Sequence, residues 1–70
     1  MQFLAIIEKG ATTFRSYVPD LPGCVAVGQT EAEVKELIRE AIEFHLDGLR
    51  EEGYPIPQPS SASAYVEVGV

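Results

Sequence analysis

Apolar residues recur at helical spacing from Thr30 to about Glu52. With Val34 at zero on a wheel of about 100° per residue, Leu37, Ile38, Ala41, Ile42, Leu46 and Leu49 share one broad side, with Phe44 at its edge. Glu33, Glu36, Glu40, Glu43, Asp47 and Glu51 occupy a narrow sector opposite. The pattern predicts one amphipathic helix of about six turns, roughly 33 Å long. Thr30 can cap its first free amides, and Glu33, three residues on, completes a capping box. Glu31 and Glu33 place negative charge at the positive end of the helix dipole. Gly53 suits a left-handed stop, and Pro55 blocks continuation. Gly48 costs about 1 kcal/mol relative to alanine. Its place on the apolar side predicts that a backbone approaches it closely.

The rest of the chain alternates with period two. Gln2 to Glu8 reads as a strand with two apolar faces, Phe3, Ala5 and Ile7 on one and Leu4 and Ile6 on the other. Such a strand is normally central and covered twice. Lys9 to Thr12 is a turn, and Thr13 to Val18 is a second strand, so a hairpin is expected. Pro19-Asp20-Leu21-Pro22-Gly23 reverses the chain, with Pro22 and Gly23 suited to the centre of a type II turn. Cys24 to Val27 is a short third strand. After the helix, Tyr54 to Pro59 is held extended by alternating prolines. Ser63 to Val68 reads as a fourth strand, with Ala64, Val66 and Val68 on one face and Tyr65 and Glu67 on the other.

These elements predict a single α+β domain over residues 1–70 with the order β-β-β-α-β. A right-handed crossover would bring the fourth strand beside the first and parallel to it. The expected sheet is four-stranded and mixed, order 3-2-1-4, with one helix on one face. That order matches the opening half of the ribonuclease H fold. Leu4 and Ile6, with Tyr17 and Tyr65 from the neighbouring strands, would then form an uncovered patch on the other face. Exposed patches of this kind usually mark protein interfaces. A homodimer or higher even oligomer is expected.

Composition narrows the functional classes. Seventy residues bury only about 60% of their unfolded surface, so a partner subunit is a natural source of added stability. Cys24 is the one cysteine, so no internal disulfide forms. The formal charge of −6 leaves only Lys9, Arg15, Lys35, Arg39 and Arg50 for phosphate contacts, which argues against direct nucleic-acid binding. An acidic surface suits a basic protein partner. No apolar run approaches the roughly 18 residues of a membrane span, and the start lacks the pattern of a signal peptide. A cytoplasmic location is expected.

Catalysis finds little footing. Cys24 and His45 would need a third group to orient the histidine before serving as a nucleophile pair, and none is evident. They read as a buried thiol and a core or interface histidine. Two isolated candidates make no metal site, and no cofactor is expected. A ribonuclease H-type nuclease would need clustered carboxylates, one of them midway along the first strand. Only Glu8 is available there, at the strand's end. The expected protein is not an enzyme.

Tyr17-Val18-Pro19-Asp20-Leu21-Pro22-Gly23-Cys24, Gly28-Gln29-Thr30-Glu31-Ala32-Glu33, Glu40-Ala41-Ile42 and Tyr54-Pro55-Ile56-Pro57-Gln58-Pro59 follow one another in a familiar order. Together they resemble the HicB antitoxin family over nearly the whole chain. The resemblance implies a partial ribonuclease H fold without nuclease activity, assembled into oligomers of dimers. It also implies binding to HicA, a small basic toxin that cleaves messenger RNA, with HicB covering the cleaving surface. The corresponding contacts here would be the acidic helix face, Glu33, Glu36, Glu40, Glu43 and Asp47, with Pro19, Asp20 and Leu21 of the reversal. Full-length members usually continue into a DNA-binding domain. This sequence ends after the fourth strand, so a solitary N-terminal domain without operator binding is expected. The alternative is an orphan oligomer with no toxin, holding a small ligand between subunits near Tyr17, Tyr65 and His45.

Overall fold

The computed structural model describes residues 1–69. Three short strands precede one long helix: β1 (Ile6–Lys9), β2 (Phe14–Tyr17), β3 (Val25–Gly28) and α1 (Glu31–Glu51). The strands form an antiparallel meander in the order β1-β2-β3. Ile6 faces Tyr17, which in turn faces Val25; Ile7, Ser16 and Ala26 form the adjacent row. Side chains alternate across a sheet, so the row of Ile6 points away from the helix and the row of Ser16 points toward it.

The expected four-stranded sheet of order 3-2-1-4 is not formed. Ser63 to Val68 forms no strand and belongs to no ladder, and Tyr65, Val66 and Val68 are exposed. The first strand is also shorter than its pattern suggests. Ile6 pairs with the last residue of β2, and β2 then enters the Pro19–Gly23 reversal. Residues 1–5 thus overrun the end of their neighbour. Phe3 and Ala5 nevertheless pack on the core.

The reversal supplies that core. Leu21 is entirely buried, beside Val18, Cys24, Ile38 and Leu46. Cys24 N–H donates to Leu21 O at 3.1 Å, closing a turn in which Gly23 takes φ +86°. This is the type II geometry that Pro22-Gly23 favours. Val18 N–H donates to Cys24 O at 3.2 Å across the loop's neck. A loop whose sequence reads as solvent-facing is therefore a plug.

The helix ends follow local chemistry. Thr30 Oγ1 accepts from Glu33 N–H at 3.0 Å, and Glu33 Oε1 accepts from Gln29 N–H at 2.9 Å. Gly53 stops the helix at φ +76°, with Tyr54 N–H donating to Leu49 O at 2.9 Å. The entry to α1 is tight, since a Cβ added at Gly28 would lie 2.9 Å from Val34 N. Gly48 is different. A Cβ there would meet nothing within 4 Å, so no backbone among the described residues approaches it. The helix is not long and apolar enough to cross a membrane.

Candidate functional site

Two surfaces carry the residues singled out by sequence. The first is the outer face of α1. Val34, Ile38 and Leu46 are its buried residues, with Ala41, Ile42 and Leu49 half-buried. The buried arc is narrower than the apolar arc. Phe44 is 83% exposed, and Leu37, two turns earlier on the same side of the helix, is partly exposed. Phe44 lies three or four residues from Glu40, Asp47 and Gly48, which places it among them on the helix surface. Periodicity alone places Phe44 only at the edge of the apolar side. Its exposure depends on how far the sheet reaches around the helix.

Most of the predicted acids have local partners. Glu33 is used by the helix cap. Arg39 bridges Glu36 and Glu43, one turn away on either side. The hydrogen bond from Arg39 holds the Glu36 carboxyl below its ordinary range. Arg50 pairs with Asp47 at 3.1 Å and Lys35 with Glu31 at 3.6 Å. Among the described residues, Glu40 and Glu51 make no ion pair. All of these pairs are solvent-exposed, so each contributes little to stability. The negative field of the face survives them.

Of the reversal residues, Pro19 is exposed and Leu21 offers no surface at all. Asp20 reaches across to the segment after the helix. Its Oδ2 accepts from the amides of Ser60 and Ser61, both at 2.9 Å, and its Oδ1 accepts from their hydroxyls at 3.1 and 2.8 Å. These bonds, led by the two backbone amides, lower the Asp20 pKa to about 2. The pattern of the sequence contains no signal for a contact between residues 40 positions apart.

The second surface is the sheet face turned away from α1. Ile6, Tyr17 and Val25 cross it in one row, and Glu8, Arg15 and Val27 in the next. Val25 is 63% exposed and Val27 59%, whereas Leu4, Ile6 and Tyr17 are half-buried. Arg15 Nε donates to Glu8 Oε1 at 3.0 Å across this face. Tyr65 does not join it, lying instead on the exposed tail. Val25 and Val27 are an addition to the residues named from sequence, and the alternation of the third strand is the signal that carries them.

Cys24 is buried in the core, and burial pushes its thiol pKa up, disfavouring the thiolate needed by a nucleophile. Two surface hollows flank the fold, and neither includes His45 or Tyr65. Among the described residues, no three histidine, cysteine or acidic side chains group as a metal site would require.

Known proteins resemble this arrangement. Residues 3–68 match the family described as HicB_like antitoxin of bacterial toxin-antitoxin system. A 14.9 kDa protein from the rep-hol intergenic region of Haemophilus phage HP1 is 33% identical over 66 residues, covering 94% of this chain and 50% of the phage protein. A UPF0150 protein of Helicobacter pylori is 42% identical over 45 residues, covering 64% of this chain and 62% of that protein. The chain thus spans about half to three-fifths of these relatives. A chain of a solved HicA3 and HicB3 toxin-antitoxin complex superposes with a TM-score of 0.72 at 34% identity, covering 87% of this chain and 72% of that one.

Proposed function

Because the chain belongs to the HicB-like antitoxin family, we propose that it binds and neutralises a small, basic, HicA-like toxin that cleaves RNA. It acts in the cytoplasm, by occupying the toxin's surface stoichiometrically and without turnover. The likeness to a chain of a HicA3 and HicB3 complex supports a partner of this kind. The observation that carries the reading is Phe44, a large aromatic residue standing exposed beside Glu40 and the other acids of α1. Protein interfaces are enriched in aromatic residues and have polar rims. The negative rim favours a basic partner and speeds its approach.

In this reading Glu36, Glu40, Glu43 and Asp47 steer, and Phe44 anchors. Arg39 keeps Glu36 and Glu43 ordered until a partner's basic groups compete for them. Pro19 and Asp20 would lie at the periphery of the contact. Assembly of dimers into a higher even oligomer belongs to the same reading, with the exposed sheet face around Val25 and Val27 as its surface. Co-expression with a HicA-like toxin from the same genome tests the function. Growth should be restored by the wild-type chain and not by Phe44→Ala combined with Glu40→Lys. Failure of the wild-type chain to restore growth would remove the reading.

A further inference from the structure

Two segments of this chain have the pattern of strands and lack the bonds of strands. Residues 2–5 alternate between Phe3 and Ala5, packed on the core, and Leu4 on the opposite side. Residues 63–68 alternate between Ala64, Val66 and Val68 on one side and Tyr65 and Glu67 on the other. Among the described residues, neither segment takes part in a ladder or in any backbone hydrogen bond of the turns and loops. An unpaired strand-like edge is a ready template for pairing with another chain.

The two segments also fit one another in place and length. A groove of about 730 Å³ runs between residues 1–5 and α1, floored by Phe3, Ile38, Ile42 and Leu46. Ser61, Ala62 and Ser63, the root of the tail, line the same groove. Six extended residues span about 20 Å, and five about 17 Å. Yet the chain's own tail leaves its groove. Asp20 grips Ser60 and Ser61, and past Ser63 the apolar side chains of Tyr65, Val66 and Val68 are exposed. The radius of gyration is 13.9 Å and the longest axis 49 Å, against about 11 Å expected for the radius of a compact domain of this length.

We infer that residues 63–68 of one copy dock in the groove of a second copy, pairing with its residues 2–5, while the second tail fills the first groove. The exchange is between chains, and each chain's own sheet stays three-stranded. A two-fold axis closes it, because each chain offers one tail and one groove. A second copy is favoured over a basic protein here, because the tail and residues 1–7 together carry only one charged side chain, Glu67. The groove borders the helix face proposed for the toxin at Arg39 and Glu43, and the inference does not rest on that proposal.

The test is isotope-filtered NMR on the full chain, in a mixture of labelled and unlabelled protein at dimer-forming concentration. Intermolecular contacts between residues 63–68 and residues 2–5 are expected, with slowed amide exchange in both segments. Val66→Pro, placed outside the folded core, should weaken the dimer about tenfold or more while leaving the circular dichroism of α1 unchanged. Val25→Glu, on the sheet face, should leave this contact in place. A monomer with rapidly exchanging tail amides would overturn the inference. So would contacts confined to Val25 and Val27, or a dimer indifferent to Val66→Pro.

Discussion

Asp20 and Ser61 stand 41 positions apart and share two hydrogen bonds, from the Ser61 amide to Oδ2 at 2.9 Å and from its hydroxyl to Oδ1 at 2.8 Å. With the matching pair from Ser60, they fasten the post-helical segment to the loop between β2 and β3. Removing the carboxylate in Asp20→Ala should free Ser60 and Ser61. Their amide exchange should accelerate while that of the α1 interior stays unchanged. Equal protection in the variant would show that the prolines alone hold the segment.

The same carboxylate makes the fastening pH-dependent. Its folded pKa is about 2, below the ordinary 3.8. A lowered pKa stabilises the folded form above the ordinary value, and the gain is lost as pH falls toward the folded one. The Asp20 contacts should therefore be intact above about pH 4, half released near pH 2 and lost below it. An NMR titration following the Asp20 side chain and the Ser61 amide reads this midpoint. A midpoint at the ordinary value would contradict the geometry.

Gly28 and Gly48 should respond in opposite directions to alanine. At Gly28 the new methyl would press on Val34 N and Cα, both backbone atoms, so the entry to α1 must shift. A loss of about 1–3 kcal/mol is expected from overpacking. At Gly48 the methyl meets open space, and the helix should gain about 1 kcal/mol. Urea denaturation of both variants measures the difference in sign.

Ser16 is 2% exposed, and its hydroxyl has no hydrogen-bond partner among the described residues. A buried, unpaired hydroxyl costs about 1–3 kcal/mol of desolvation. Ser16→Ala should therefore be neutral or stabilising. A loss of more than about 1 kcal/mol would mean that the hydroxyl is satisfied in solution.

Much of this architecture is legible locally. Thr30 with Glu33, Gly53, and Pro22 with Gly23 each specify a conformation through chemistry within a few residues. The helix and the meander follow from them. Long-range relations cannot be read in that way. The alternation of Ala64, Val66 and Val68 marks a strand-competent segment but names neither the edge nor the chain it pairs with. Leu21, set between Asp20 and Pro22, has the sequence surroundings of a loop, and only the closure from Val18 to Cys24 turns it inward. Phe44 is visible as a residue at the rim of an apolar arc. Its covering would depend on a wider sheet than the three strands this chain forms by itself. The acidic sector is legible as a sequence pattern, whereas its partial neutralisation by Arg39 depends on side-chain geometry.

Calorimetric titration of the full chain with a folded HicA-like toxin addresses the antitoxin reading without reliance on growth. Saturable binding at about 1 µM or tighter is expected, weakened about tenfold or more in Phe44→Ala combined with Glu40→Lys. No binding by the folded wild-type chain, or binding unaffected by that pair of substitutions, would contradict the assignment of the α1 face as the toxin's site.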